Sequence, residues 1–317
     1  MRSDRPRVAL RAGALVLALV VAVPAAQPAR PTVALVKSGP LPPFEVASSA
    51  IVASLASRSP QPEVLTFDLA GDEATTRQVL ETLRAASPDL IVTVGSLATA
   101  AVLKEAPRAP VVFSMVLYPD QSGFRAGRGG VTGASLDIPP DVQFDWIHRI
   151  LPAARRVGVL FDQTETGGVI EAARKAARAR GLTLVAREVS EAAGAPGALA
   201  ALMEDVDVVW AVADSHVFTP QTTPELILAS LRRGVPLLGL SAAHVRSGAL
   251  GALYCDYADV GRQTGELAGR VLDGERAEAL AVTVPRHVDV ALNLKTAEHL
   301  GVHVPADVAA QAGVTIQ

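Results

Sequence analysis

From Thr32 onward, short apolar runs alternate with longer Ala-rich segments whose apolar residues recur at three and four, the pattern of β/α units built on a parallel sheet. The runs predict strands at 33–36, 64–67, 90–94, 111–115, 131–136, 157–161, 183–189, 206–212, 236–240 and 249–254. The segments between them predict helices at 75–86, 96–105, 140–150, 168–180, 224–233 and 260–272, which end near Gly, Pro or basic residues. About ten strands are more than one open sheet usually carries. The stretch 118–131, rich in glycine and without apolar period, is expected to be the passage between two lobes, and the β/α pattern restarts after Leu151-Pro152.

The first thirty residues stand apart. Arg2, Arg5, Arg7 and Arg11 precede an uncharged apolar run over 12–23, and Pro24-Ala25-Ala26 then offers the small residues at which a signal peptidase cuts. Residues 1–30 therefore read as a secretory signal peptide. The run falls short of the ~20 residues that span a bilayer, and no cysteine follows it to carry a lipid, so a soluble, periplasmic protein is expected.

Composition narrows the chemistry. With 317 residues and 50% of them hydrophobic, the chain can bury two substantial cores. A net charge of −3 gives no basic surface for nucleic acid. One cysteine, Cys255, excludes an intramolecular disulfide, a Cys-rich zinc site and an iron–sulfur cluster. Its apolar surroundings, 250–254, predict a buried thiol that acts as a small hydrophobe.

In an open parallel sheet, ligands bind beyond the carboxyl ends of the strands, where helix N-termini present free N–H groups. The residues at those positions are Ser38, then Gly95-Ser96 with Ala98 and Thr99, then Ser114 to Tyr118; in the second half they are Asp162, Thr164 and Glu165, then Asp214-Ser215-His216, then Ser241. Two such rows facing each other across a hinge would line a cleft for a small polar ligand. Each residue alone also reads as a helix cap. His216 and His244 read as surface or capping residues, because no metal-ligand spacing accompanies them. One string, Gly239-Leu240-Ser241-Ala242-Ala243, approximates a nucleophile elbow without its final glycine, and it opens a serine-hydrolase alternative in which Ser241 works with Asp256 and His287 or His299.

Longer stretches carry a resemblance. Pro110-Val111-Val112-Phe113-Ser114, Gly130-Val131-Thr132-Gly133-Ala134-Ser135, the run 151–160, Asp256-Tyr257 with 261–264, and Asn293-Leu294-Lys295-Thr296-Ala297 together resemble the substrate-binding proteins of ABC transporters of the tryptophan/tyrosine type. The resemblance implies an α/β fold of two Rossmann-like lobes with parallel sheets joined by a hinge, the type I periplasmic-binding-protein architecture. It divides the chain into 31–130 plus about 252–280 for one lobe and 131–251 plus about 281–317 for the other. It also implies a non-enzymatic monomer, without cofactor or metal, that passes a small ligand to a membrane permease; an alternative is a sensor that presents the ligand to a receptor or histidine kinase. Ligand contacts are implied at the strand-end clusters named above. Family members commonly place an Asp before the proline of the loop after the fourth strand, to pair with a ligand ammonium, whereas this chain has Tyr118 before Pro119. Tyr118 is expected to stack on a flat or apolar ligand, with Phe44 near the cleft.

Overall fold

The computed structural model describes residues 30–124 and 129–316, so the expected signal peptide lies outside the described residues apart from its last position. Five strands form the first sheet: β1 (Thr32–Lys37), β2 (Glu63–Asp68), β3 (Leu90–Val94), β4 (Val111–Val116) and β5 (Val131–Ser135). Their order is β2-β1-β3-β4-β5, and every pairing is parallel. Helices α1 (Pro42–Ala56), α2 (Glu73–Ala86) and α3 (Ser96–Lys104) provide the crossovers. β3, β4 and β5 are buried along their whole length, as expected for strands of a sheet covered on both faces, and their few hydroxyl residues are buried with them.

The second lobe opens with α4 (Pro140–Ile150) and continues through β6 (Arg156–Phe161), α5 (Gly167–Ala179), β7 (Thr183–Glu188), α6 (Ala195–Leu202), β8 (Val208–Trp210), α7 (Thr222–Arg233), β9 (Leu237–Gly239), α8 (Ala242–Arg246) and β10 (Gly251–Cys255). The chain then returns to the first lobe as α9 (Tyr257–Leu272) before β11 (Val288–Asn293), α10 (Leu294–His299), α11 (Ala306–Ala310) and β12 (Val314–Ile316) complete the second. The second sheet runs β12-β11-β10-β9-β8-β6-β7, parallel except for the antiparallel pair β10–β11. Three segments therefore join the lobes: 136–139, Asp256, and 284–287. The last of them leaves from beside β5, where the Ser135 N–H donates to the Thr283 carbonyl at 2.9 Å. No described helix is long and apolar enough to cross a membrane.

Three expectations change. The glycine-rich stretch after Tyr118 does not pass between lobes. It joins β4 to the parallel β5 of the same sheet, and its glycines mark the turn at the far end, where the Val111 N–H donates to the Gly130 carbonyl. The first lobe consequently extends through Ser135 rather than ending at 130. β10 belongs to the second sheet, because Gly251 and Ala252 pair with Leu238 and Gly239, so the return to the first lobe begins at Tyr257 rather than near 252. β11 and β12 add two strands that the apolar pattern did not reveal.

α9 closes the first lobe by lying against α1. Gly261, Gly265 and Gly269 fall four residues apart on one face, and a Cβ at Gly261 or Gly265 would collide with Ala47 or Ser54 of α1. The two helices approach closely only because that face lacks side chains.

Candidate functional site

The carboxyl ends of both sheets face each other across a cleft with two connected cavities. One, of about 590 Å³, is lined from both lobes and from the first crossing; the other, of about 540 Å³, lies on the first lobe's face, and the two share Leu117 and Leu136.

On the first lobe, Ser38 ends β1 and Gly95 precedes α3. Gly95 adopts φ +90°, and a Cβ there would meet the Ser38 hydroxyl and the Phe44 ring, so glycine is required. The Ser38 hydroxyl donates to the Val94 carbonyl and accepts the Ala98 N–H, both at 2.9 Å, and thus acts as a cap borrowed from the neighbouring strand. Ser38 and Ser96 line the smaller cavity with Phe44, Leu41 and Leu97. The two leucines are 54% and 65% exposed, an apolar floor open to the cleft. Ala98, Thr99 and Ser114 are fully buried: Thr99 bonds Thr93 and the Gly95 carbonyl, and Ser114 accepts from Thr264 of α9 at 2.7 Å. These three brace the lobe and present no surface to the cleft, contrary to the sequence expectation.

Beyond Ser114 the strand carries a bulge. Met115 has φ +58° and the register with β5 slips between Ser114 and Val116, which re-aims the chain so that Leu117 and Tyr118 enter the cleft. Tyr118 also has positive φ, +50°, and its N–H donates to both carboxylate oxygens of Asp137, at 2.9 and 3.1 Å. Its ring packs against the second lobe's core and its phenol faces the backbone of Ala213. Burial, then the Asp137 carboxylate, pushes the phenol's pKa well up. Tyr118 therefore links the lobes.

On the second lobe, the acidic cluster is closed on itself. Asp162 accepts the Thr164 hydroxyl and N–H and the Glu165 N–H; those bonds from Thr164 hold its carboxyl below the ordinary range. Asp214 accepts the Asp162 N–H, the Thr166 hydroxyl and the His216 N–H, while Glu165 accepts the Ser215 N–H and hydroxyl. Asp162, Thr164, Glu165, Asp214 and Ser215 are thus brought together, beyond the ends of β6 and β8, but none of them lines either cavity. Glu165, Asp214 and His216 place one ligand atom each within 4.8 Å of one another, yet both Asp214 oxygens already accept hydrogen bonds from the protein. Ser241 caps α8, accepting the His244 N–H at 3.4 Å. Asp256 caps α9 and pairs with Arg262, and among the described residues no hydrogen bond joins Ser241 to Asp256, His287 or His299.

Tyr118 is expected at the cleft from sequence, but the other aromatic residues of its lining, Trp146, Trp210, Tyr254 and Tyr257, are not. The chain has only two tryptophans and three tyrosines, and all five, Trp146, Trp210, Tyr118, Tyr254 and Tyr257, line the larger cavity. The Trp210 indole donates to Gln143 at 2.7 Å and its ring meets Phe144 edge-on at 5.1 Å, which fixes that wall. Cys255 also lines it, buried as expected, its thiol pushed up to about 11 by burial. The signal available in the sequence was rarity alone, since the chain has so few Trp and Tyr residues.

Comparison with known proteins gives consistent matches. Residues 64–316 match the model of a family described as ABC transporter substrate binding protein. A protein of Clostridioides difficile (strain R20291) named tyrosine-binding protein is 22% identical over 235 residues, which cover 72% of this chain and 68% of that one. Among solved structures, a domain from Streptococcus pneumonia in complex with L-Trp aligns with a TM-score of 0.68 at 21% identity, over 91% of this chain and all of the other. A ligand-free, open substrate-binding protein with adhesive properties from Clostridium difficile aligns with a TM-score of 0.73 at 18% identity, over 90% and 99% of the two chains. At these identities the structural likeness establishes the fold, two parallel-sheet lobes of the periplasmic-binding type.

Proposed function

Because this chain belongs to the ABC transporter substrate-binding protein family, we propose that it is a periplasmic solute-binding protein that captures a small, amino-acid-like or aromatic ligand between its lobes and delivers it to a membrane permease. The observation that carries the reading is the interlobe cavity of about 590 Å³, of a size for one small molecule, in which every Trp and Tyr of the chain converges. The relatives named for tyrosine and crystallised with L-Trp support a ligand with an aromatic body.

In this reading Tyr118, Trp146 and the exposed Leu41 and Leu97 hold the apolar body, and Ser96 at the start of α3 offers N–H and hydroxyl groups to a polar end. The acidic cluster of Asp162, Thr164, Glu165, Asp214 and Ser215 stiffens the loops after β6 and β8, and Ser241 holds the turn after β9. The three crossings are the hinge. A ligand that touches both lobes favours the closed arrangement, excludes water from the cleft and completes the surface that a permease reads. The work is binding alone, by a monomer, with no chemistry on the ligand.

Both tryptophans line the cavity, so the protein reports its own occupancy. Titration of the purified protein with amino acids, aromatic amines and aromatic acids is expected to change tryptophan emission saturably for at least one class and to raise Tm for the same class. A flat response and an unmoved Tm across all three classes would overturn the reading.

A further inference from the structure

The charge in the cleft is one-sided. Asp137, at the first crossing, and Asp120, in the loop after β4, both line the larger cavity, and among the described residues neither cavity is lined by a Lys, Arg or His. The charged groups whose fields reach Tyr118 are Asp137, Asp214 and Glu165, and Asp120 acts on Asp137; all are carboxylates. Asp137 is half-buried and takes only hydrogen bonds from its surroundings, from the Tyr118 N–H and Ser135, with no described cation paired to it.

The walls are of one kind as well. Aromatic faces attract cations through the ring quadrupole, and the attraction grows when water is excluded. Trp146 already shows this, with the Arg149 guanidinium 4.1 Å from its ring centroid, although Arg149 itself does not line the cavity. An unpaired carboxylate set among aromatic rings matches an organic ammonium group, and among the described residues no cationic side chain lines either cavity to meet a ligand carboxylate.

We infer that the cleft selects a ligand carrying an ammonium group on an aromatic or apolar body, with the Asp137 carboxylate as its counter-ion, and that it prefers such amines to the corresponding amino acids. The inference rests on the binding function proposed above and specifies the ligand class for the same site. It gives Asp137 the task that the Asp before the proline would have had: Tyr118 stands at that position, and its backbone N–H holds the Asp137 carboxylate in place from across the first crossing.

The test is calorimetric titration of the whole mature protein with 2-phenylethylamine and tryptamine, with L-Phe and L-Trp, and with phenylacetate and indole-3-acetate. The amines are expected to bind at least tenfold more tightly than the amino acids, and the acids more weakly than both. Asp137→Asn keeps an acceptor for the Tyr118 N–H; it is expected to retain or raise Tm without ligand while losing at least tenfold in amine affinity. Trp146→Leu is expected to weaken amine binding with the backbone undisturbed. Amino acids or acids binding as tightly as the amines would overturn the inference and leave the transport reading standing, as would full amine affinity in Asp137→Asn. Should Asp137→Asn fail to fold, the ranking of ligands on the unaltered protein decides. No binding by any of the six compounds, or by others of their classes, would remove both.

Discussion

Asp259 illustrates how single residues hold the hinge. It is 4% exposed on α9, just after the second crossing, and its carboxylate receives Arg286 from the third crossing at 3.0 and 3.3 Å, with Arg262 and Gln263 each at 3.2 Å. Burial alone pushes this carboxyl up, but Arg286, Gln263 and Arg262 together hold it below the ordinary carboxylate range. Its contribution is therefore complete above the unfolded value near 3.9 and is lost as pH falls through the lower folded value. Arg286→Ala is expected to cost about 1–2 kcal/mol at neutral pH, kept modest because Arg286 is itself 45% exposed on its side chain. Denaturant unfolding from pH 7 to pH 3 is expected to show that difference shrinking in the acid limb; a constant difference would remove the ion pair as its cause. At the same scale lies the reason the cleft was only partly legible in sequence. Ser38, Thr99 and Ser114 stand where strand-end hydroxyls meet ligands in such folds, yet each completes an internal hydrogen bond, and a sequence does not say which partner a hydroxyl finds. Asp137 escaped notice because a lone carboxylate between a strand and a proline reads as an ordinary turn residue.

Between elements, the α1–α9 contact is the tightest test of packing. Gly261→Ala places a methyl group against the Ala47 carbonyl and the Ala50 side chain, neither of which is the flexible end of a long chain. Overpacking of this kind costs about 1–3 kcal/mol, and Gly261→Val is expected to cost more; urea midpoints measured on both variants would check the order. Gly274, with φ +96° and nothing within 4 Å of a built Cβ, provides a comparison in which backbone strain acts without a clash. The element pattern itself was readable where it repeats. Runs such as Leu90–Val94, buried on both faces, announce themselves by a stretch apolar at every position but Thr93. β11 did not, because its second residue is the exposed Asp289 and it pairs antiparallel with β10, and β12 is three residues long. The boundary between lobes was misread for a related reason: glycine marks where a chain must turn, and the β4–β5 turn needs it as much as a hinge does, whereas the crossing at 136–139 is marked by Pro139, the N-cap of α4, and by Pro140, its first residue.

For the whole molecule, the proposed binding function calls for closure of the lobes, and Tyr118 is the contact through which closure would be felt. A first-lobe residue whose ring packs into the second lobe's core favours the closed form. Small-angle scattering is expected to show a smaller radius of gyration with saturating ligand than without, and Tyr118→Ala is expected to enlarge the ligand-free protein and weaken binding several-fold; identical radii in all states would argue for a rigid cleft. The return of α9 to the first lobe has a consequence for how the protein is made. The core that Ala47, Ile51 and Leu55 of α1 share with β1 and β3 is completed only when residues 257–272 have been synthesised, and Ser135 lacks its partner until Thr283 follows. Neither lobe is a contiguous stretch of chain, so neither can finish folding while most of the polypeptide is still emerging from the ribosome. Each lobe is sealed only by chain that follows Asp256, so a truncation before α9 would leave both lobes incomplete.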